Sequence, residues 1–386
     1  NTRGLTMPDR VRLSYLLAST ILQSAILAGG AAAQDASTSS NALDGSTLET
    51  ITVTSGEAEQ NDKHQGAADR ANSIYISRDQ IELNDPQNAR DLFAGDASVQ
   101  VGGGNAISQK VHVNGVVDAN LAVSIDGVLQ GNRVFHHTAD NYIDPTLLKS
   151  VRVDPSVAPA DAGFGALAGS IVYETVDVAD LVLNGRSFGA FADVSYTTNG
   201  ETFTGSTAAY AMSNGFEVLG YLRGANGLDY KDGNGNDVFA SGEDFYSALG
   251  KTAYETETGY RFEVSGQYVS DAAERPFRAN LQTTNGTYVS RIYDTTRQNY
   301  AINFGKDTVS GLWNPVVVAG YSENDFKVVD PWGSMATVGT WSGKVENVFE
   351  LSEDNTITGG LDFLSQQAFL PKRLPGLLRV AGIQRP

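Results

Sequence analysis

The chain has 386 residues, with 45 Asp and Glu against 27 Lys and Arg and a formal charge of −18. No basic stripe is left to neutralise phosphates, which excludes nucleic acid as a partner. Cysteine is absent, so disulfide frameworks, thiolate zinc sites and thiol nucleophiles are excluded as well.

Residues 1–33 read as an export signal rather than as part of a fold. Arg3, Arg10 and Arg12 make a positive start, Tyr15 to Leu27 is a mostly apolar run, and Ala31-Ala32-Ala33 offers a small-residue cleavage site. That run, interrupted by Ser and Gln, is too short for a membrane helix, and no other segment approaches the roughly 18 apolar residues one needs. Periplasm, outer membrane and medium remain as destinations. Residues 34–57 form a polar tail, mostly Ser, Thr, Asn, Ala and Asp up to Ser46, which lacks the apolar surface to order itself. Within it, Glu49-Thr50-Ile51-Thr52-Val53 alternates polar and β-branched residues, as a short strand would.

Residues 58–185 have the texture of a compact α+β domain. Ser77 with Gln80 three residues on is a capping box that starts a helix, and a second helix is expected around Asn88 to Phe93. Val111-His112-Val113 and Ala122 to Ile125 read as strands flanking the Asn114-Gly115 turn signal. Pro145 is expected to open a short helix ending near Lys149, followed by a strand over Val151-Arg152-Val153.

From 186 to 365 the pattern changes to segments of about ten residues with alternating character, the signature of a transmembrane β-barrel. Tyr260 to Val269 shows it best: Phe262, Val264, Gly266 and Tyr268 share one face, and Arg261, Glu263, Ser265 and Gln267 the other. About nine such strands are legible, joined by links expected to alternate short and long. A soluble β-sandwich is the competing architecture. Residues 366–386, with Pro371, Pro375 and Pro386, fit no barrel terminus and read as a truncation or a frame change after about Ser365.

Four motifs together carry a family resemblance: the turn Ile125-Asp126-Gly127, the run from Ile143-Asp144-Pro145 to Val151, the small-residue run Gly165 to Gly169, and Tyr173-Glu174-Thr175-Val176-Asp177. This set resembles the plug domain of TonB-dependent outer-membrane receptors, closest to the haem and haemoglobin receptor subgroup. The resemblance implies an α+β plug followed by an antiparallel transmembrane β-barrel, incomplete here because such transporters close with about 22 strands. It makes Glu49 to Val53 a TonB box, an extended peptide that pairs by strand addition with TonB and its inner-membrane energising complex. It implies active import of an iron-containing ligand, haem first, across the outer membrane of a Gram-negative bacterium. The partners would be outer-membrane lipid and haem, a haem protein or a ferric siderophore. No permanent cofactor and no enzymatic step are implied.

The apical stretch Gly131 to Asp140 supplies the candidate ligand contacts: Arg133, Phe135, His136 and His137 for substrate, with His136 and His137 as axial ligands to haem iron. Their other reading is as solvated loop residues, and a ferric siderophore would use Arg133 and aromatics instead. His64 and His112 read as a tail and a strand residue. A passive porin or a surface adhesin would need no TonB box. Asp232 to Glu243 has oxygen ligands at calcium-loop spacing, but Asp237 stands where the obligatory glycine belongs, which favours a plain loop tip. Gly102-Gly103-Gly104 lacks a following Lys-Ser/Thr, and no Gly-x-Ser-x-Gly elbow is present. Plugs of the family carry arginine before Gly115 and Arg-Gly-Pro near Asp154-Pro155, and those arginines meet barrel glutamates. Different plug–barrel contacts are therefore expected in this chain.

Overall fold

The computed structural model describes residues 73–369, except 104–105, 132–136, 140–141, 157, 159–161, 184, 280–285, 307, 329–333 and 353–354. The expected signal, TonB box, Arg133, Phe135, His136 and the tail beyond 369 lie outside the described residues.

The first part is built from β1 (Ile74–Ser77), α1 (Arg78–Asn84), α2 (Ala89–Leu92), β2 (Val99–Gly102), β3 (Lys110–Val113) and β4 (Val116–Val117). It continues through β5 (Ala122–Ile125), β6 (Val128–Leu129), β7 (Leu148–Pro155), β8 (Gly169–Thr175) and α3 (Val178–Leu181). Five strands form a mixed sheet in the order β1-β7-β8-β5-β6, in which only β5 and β8 run parallel. The capping box on α1 is formed by Ser77 and Gln80 as the sequence demands. The helix ends at Asp85, whose left-handed conformation (φ 43°) precedes Pro86, a residue that disfavours a helical predecessor. Ile81, Phe93, Val111, Val123, Ile125, Leu148, Val151, Ile171 and Tyr173 form one buried core beneath the sheet.

Two expectations fail locally. Asn114-Gly115 joins β3 to β4 as a tight hairpin, while β5 departs to the other sheet beside β8. Both turn residues have positive φ (49° and 81°), the type that matches the twist of a two-residue hairpin. After Pro145 only a single 3-10 turn forms, Pro145–Leu147, and β7 begins at Leu148. Pairing of Leu148 and Ser150 with β8, together with complete burial of Leu147 and Leu148, outweighs continuation of the turn.

The second part is an antiparallel meander of β9 (Phe188–Thr197), β10 (Thr202–Ser213), β11 (Phe216–Asn226), β12 (Asp244–Glu255), β13 (Tyr260–Asp271), β14 (Glu274–Pro276), β15 (Ser290–Lys306), β16 (Pro315–Val328), β17 (Ser334–Ser352) and β18 (Asn355–Phe369). Each pairs with its neighbour in sequence, except that β13 pairs with β15 and the short β14 joins β15 alone. The sheet curls around the first part without closing, with β9 and β18 as its edges. On β13, Glu263, Ser265 and Gln267 are buried toward the first part, while Phe262 and Val264 are exposed on the outer face. The same outer face carries Phe216, Tyr254, Tyr300, Ile302 and Trp341, an apolar band with aromatic members suited to lipid.

The expected long link after the seventh legible strand is absent. Residues 324–328 extend β16 and residues 334–339 belong to β17; the alternation continues there with its sense reversed, Phe326, Val328, Ala336 and Val338 facing inward. β18 likewise runs on to Phe369, so residues 366–369 belong to the strand rather than to the tail. Short turns at 214–215 and 256–259 lie at one end of the sheet, and the link 227–243 lies at the other.

Candidate functional site at the plug–barrel interface

Three layers of polar contact join the two parts. At the short-turn end, Asp177 follows β8 and caps α3, and its carboxylate gathers three cations. Lys149 Nζ lies at 2.8 Å, Lys251 Nζ at 2.9 Å and Arg261 Nη2 at 3.4 Å. Arg261 also grips Glu217 with two hydrogen bonds, of 2.9 and 3.0 Å, and reaches Glu263 at 3.2 Å. Burial works to raise the Asp177 carboxyl, but Lys251, Lys149 and Arg261 overcome it and hold the group far below the usual carboxylate range. Burial opposes the charge on Lys149 as well, and Glu174, Asp177 and Asp180 outweigh it, so its ammonium is held on well above the ordinary lysine range. This network borders a cavity of about 210 Å³ between plug and wall.

Higher up, the Asp144 carboxylate is completely buried. It accepts from Arg223 Nη1 at 3.0 Å, Ser247 Oγ at 2.5 Å, and both Thr146 Oγ1 (2.7 Å) and Thr146 N (3.1 Å). Arg223 also donates to Gln87 and lies over the Phe245 ring at 5.4 Å. The Asp-Pro-Thr run is therefore a bolt into the barrel wall. Beside it the tip of the β5–β6 hairpin is held by Asn303 to the Asp126 carbonyl (3.2 Å), Ser342 to Leu129 N (3.1 Å) and Ser322 to the Leu129 carbonyl (2.8 Å). Gly127 at that tip has φ 80°, and a Cβ there would press on Val318 at 3.0 Å. The different plug–barrel contacts expected from the sequence take a definite form. In the ion pairs that cross between the two parts the plug supplies the carboxylates, Asp144 and Asp177, and the barrel supplies the cations Arg223, Lys251 and Arg261. Lys149 adds a cation from the plug itself. Asp154 stays within the plug, held by Arg152, Ser73 and Ser170.

At the long-loop end sits His137, half-buried. Its ring stacks on Phe326 at 4.7 Å and 9°, and its Nδ1 lies 2.5 Å from the Tyr293 hydroxyl. That hydroxyl donates to the Phe277 carbonyl at 2.9 Å. A phenol has one proton to give, so Tyr293 receives from His137 and the imidazole proton belongs on Nδ1. In the neutral ring Nε2 is then the basic nitrogen, the one able to ligate a metal. Ile107, Tyr142, Val269, Tyr293, Phe326 and Val328 form an apolar cluster at this end. Burial, with Asp271 adding to it, pushes the Tyr142 phenol well above its ordinary value and keeps it protonated.

His137 is thus built into an aromatic cluster rather than standing in a loosely solvated loop. His112 lies on β3, its Nδ1 3.1 Å from the Lys110 carbonyl. Asp232 accepts from the backbone of Asn234 and Asn236, both at 2.9 Å, which is the geometry of a turn. No group of three or more His, Asp or Glu side chains poised for a metal ion occurs among the described residues. Sequence reasoning missed Tyr293, Phe326, Arg223 and Lys251. Arg261 and Glu263 were visible as a lumen face, but nothing in the sequence paired them with Asp177.

Residues 66–170 match the family described as TonB-dependent Receptor Plug Domain. The chain carries a TonB-dependent receptor plug, followed by part of an antiparallel barrel. Among its relatives, the heme transporter BhuA of Brucella ovis is 38% identical over 288 residues, covering 73% of this chain and 43% of that protein. The hemin receptor of Yersinia pestis is 25% identical over 258 residues, covering 63% and 37%. The chain thus spans less than half the length of these relatives. In fold it resembles the FrpB iron transporter of Neisseria meningitidis, with a TM-score of 0.71 at 18% identity, covering 79% of this chain and 50% of that one. It also resembles the Serratia marcescens hemophore receptor HasR, solved with its hemophore HasA and heme, with a TM-score of 0.65 at 19% identity, covering 78% and 45%.

Proposed function

We propose that this chain belongs to an outer-membrane receptor that imports haem actively, with TonB as its energy-coupling partner. The observation that carries the reading is His137. Its Nδ1 faces the Tyr293 hydroxyl and its ring is fixed against Phe326, which orients the imidazole at the long-loop end where a ligand would arrive. Imidazoles that bind metals are oriented in this way, by a hydrogen bond from the other ring nitrogen. The names of the relatives, a heme transporter and a hemin receptor, favour the same cargo.

In this reading haem docks among the outer loops, with His136, His137, Arg133 and Phe135 as contacts and iron ligated by a histidine. TonB pairs with Glu49 to Val53, and force on that segment pulls on the plug. The plug is held by ion pairs at Asp144 and Asp177 together with apolar contacts such as Leu147 and Val176 against Leu219 and Leu249. Force on that segment would break these to unseat it. No covalent step is needed. The test is haem binding followed by its Soret band. Replacing both His136 and His137 by Ala should shift the band and weaken binding. An unchanged spectrum and affinity would make a ferric siderophore the leading cargo. Haem-dependent growth that survives collapse of the proton gradient would remove the TonB coupling.

A further inference from the structure

Arg297, at mid-height on β15, is 1% exposed and faces the lumen. One of its nitrogens, Nη2, donates to Gln267, while Nε and Nη1 have no acceptor. Among the described residues no carboxylate forms an ion pair with it. The other buried barrel arginines are matched by acids: Arg223 by Asp144 and Arg275 by Asp271. A guanidinium keeps its charge at any physiological pH, and a buried charge without a counter-ion is strongly unfavourable.

Its surroundings repeat the imbalance. The register partner of Arg297 on β16 is Asn324, 1% exposed, with neither amide atom hydrogen-bonded. Gln267 Nε2, the Thr295 hydroxyl and the Tyr142 hydroxyl are also buried without partners. Four of these seven atoms are N–H donors, two of them on the cation, while the neutral oxygens beside them supply no negative charge. Along the inner face of β15 this layer lies between Tyr293, which meets His137, and Asn303, which borders the cavity at the short-turn end. It is thus the middle step of a path from the candidate ligand site to the opposite end.

We propose that Arg297 and Asn324 form a carboxylate-binding step on the import route, taking an anionic substituent of the cargo when the plug withdraws Tyr142. The proposal rests on the reading of the chain as a haem importer, whose porphyrin cargo carries two propionates. An inorganic anion is the other source of the same chemistry. A site built to bind a charged group discriminates strongly against an analogue that lacks it, because its own polar atoms are then left bare.

The test compares uptake, in energised cells, of haem with free propionates and of its dimethyl ester. The unaltered receptor should favour the free acid by about tenfold or more. Arg297→Gln should bring that ratio close to one while leaving binding at the outer face within about twofold, since the apical contacts are untouched. Asn324→Leu, which alters no charge, should reduce the ratio in part and serves if Arg297→Gln fails to assemble. A ratio that stays high in both variants, or uptake of acid and ester falling together, overturns the carboxylate step and leaves Arg297 a structural residue. An unaltered receptor with a ratio near one, whose melting temperature rises with added chloride, assigns the guanidinium to an inorganic ion and also overturns it. Uptake of neither porphyrin by the unaltered receptor overturns the haem reading itself, and the step with it.

Discussion

The Tyr293 hydroxyl lies 2.5 Å from His137 Nδ1 and gives its own proton to the Phe277 carbonyl, so a barrel residue sets the tautomer of a plug histidine. Tyr293→Phe removes that acceptor and keeps the ring that packs against Phe326. Loss of such an outer partner commonly costs about 10–100-fold in metal affinity. Haem affinity, measured by titration of the Soret band, should fall into that range with little change in melting temperature. Unchanged affinity would separate His137 from iron ligation.

The bolt at Asp144 predicts an asymmetric pair of variants. Asp144→Ala strands the Arg223 guanidinium in a buried site and should destabilise the seated plug by about 3–5 kcal/mol. Asp144→Leu combined with Arg223→Met removes both charges and should recover most of that loss, because an apolar pair of similar volume replaces a buried ion pair at little cost. Thermal unfolding and protease access to the plug measure both. Equal destabilisation by the single and double variants would show that the ion pair is not what seats the plug.

Acid should loosen the plug through Asp177. Its folded-state acidity is held far below the unfolded value of about 3.9, so its contribution is complete above that value and lost as pH falls through the folded one. Lys149 carries the opposite sign. Its affinity for the proton is raised, so its contribution is complete below about 10.4 and lost only at higher pH. Between these limits Asp177 and Lys149 both keep their charges. Protease access to the plug should rise only in strong acid, and Asp177→Asn should flatten that rise. An acid transition unchanged by Asp177→Asn would contradict the assignment.

Energy coupling can be separated from binding. Proline has no backbone N–H, so Ile51→Pro or Val53→Pro should abolish strand addition by TonB. Haem binding should be retained and energised uptake lost. Normal uptake in both variants would remove the TonB-box assignment.

Much of the fold was legible because it rests on local rules. The capping box of Ser77 and Gln80, the tight turns at Asn114-Gly115, Asp126-Gly127 and Asn214-Gly215, and the two-residue alternation of β13 each depend on residues a few positions apart. Alternation also told inner from outer face, since a lipid-facing side chain and a lumen-facing one must differ in polarity. Its sense reversed beyond the apolar band, where Phe326, Val328 and Ala336 face inward, and the expected long link vanished.

The site obeyed no such local rule. Asp144 meets Arg223 and Ser247 across 79 and 103 residues, and His137 meets Tyr293 across 156. The sequence by itself determined that a plug precedes a sheet of membrane strands, that the plug carries histidines in an apical stretch, and that the wall has a charged inner face. Which charge meets which, and which nitrogen of His137 keeps its proton, was decided only when the β5–β6 hairpin and the Asp-Pro-Thr turn were seated against the wall. Register fixes those partners, and a shift by one residue would turn every lumen side chain toward lipid. The uncompensated charge on Arg297 belongs to the same class. An arginine is unremarkable in a strand until the enclosure around it lacks an acid.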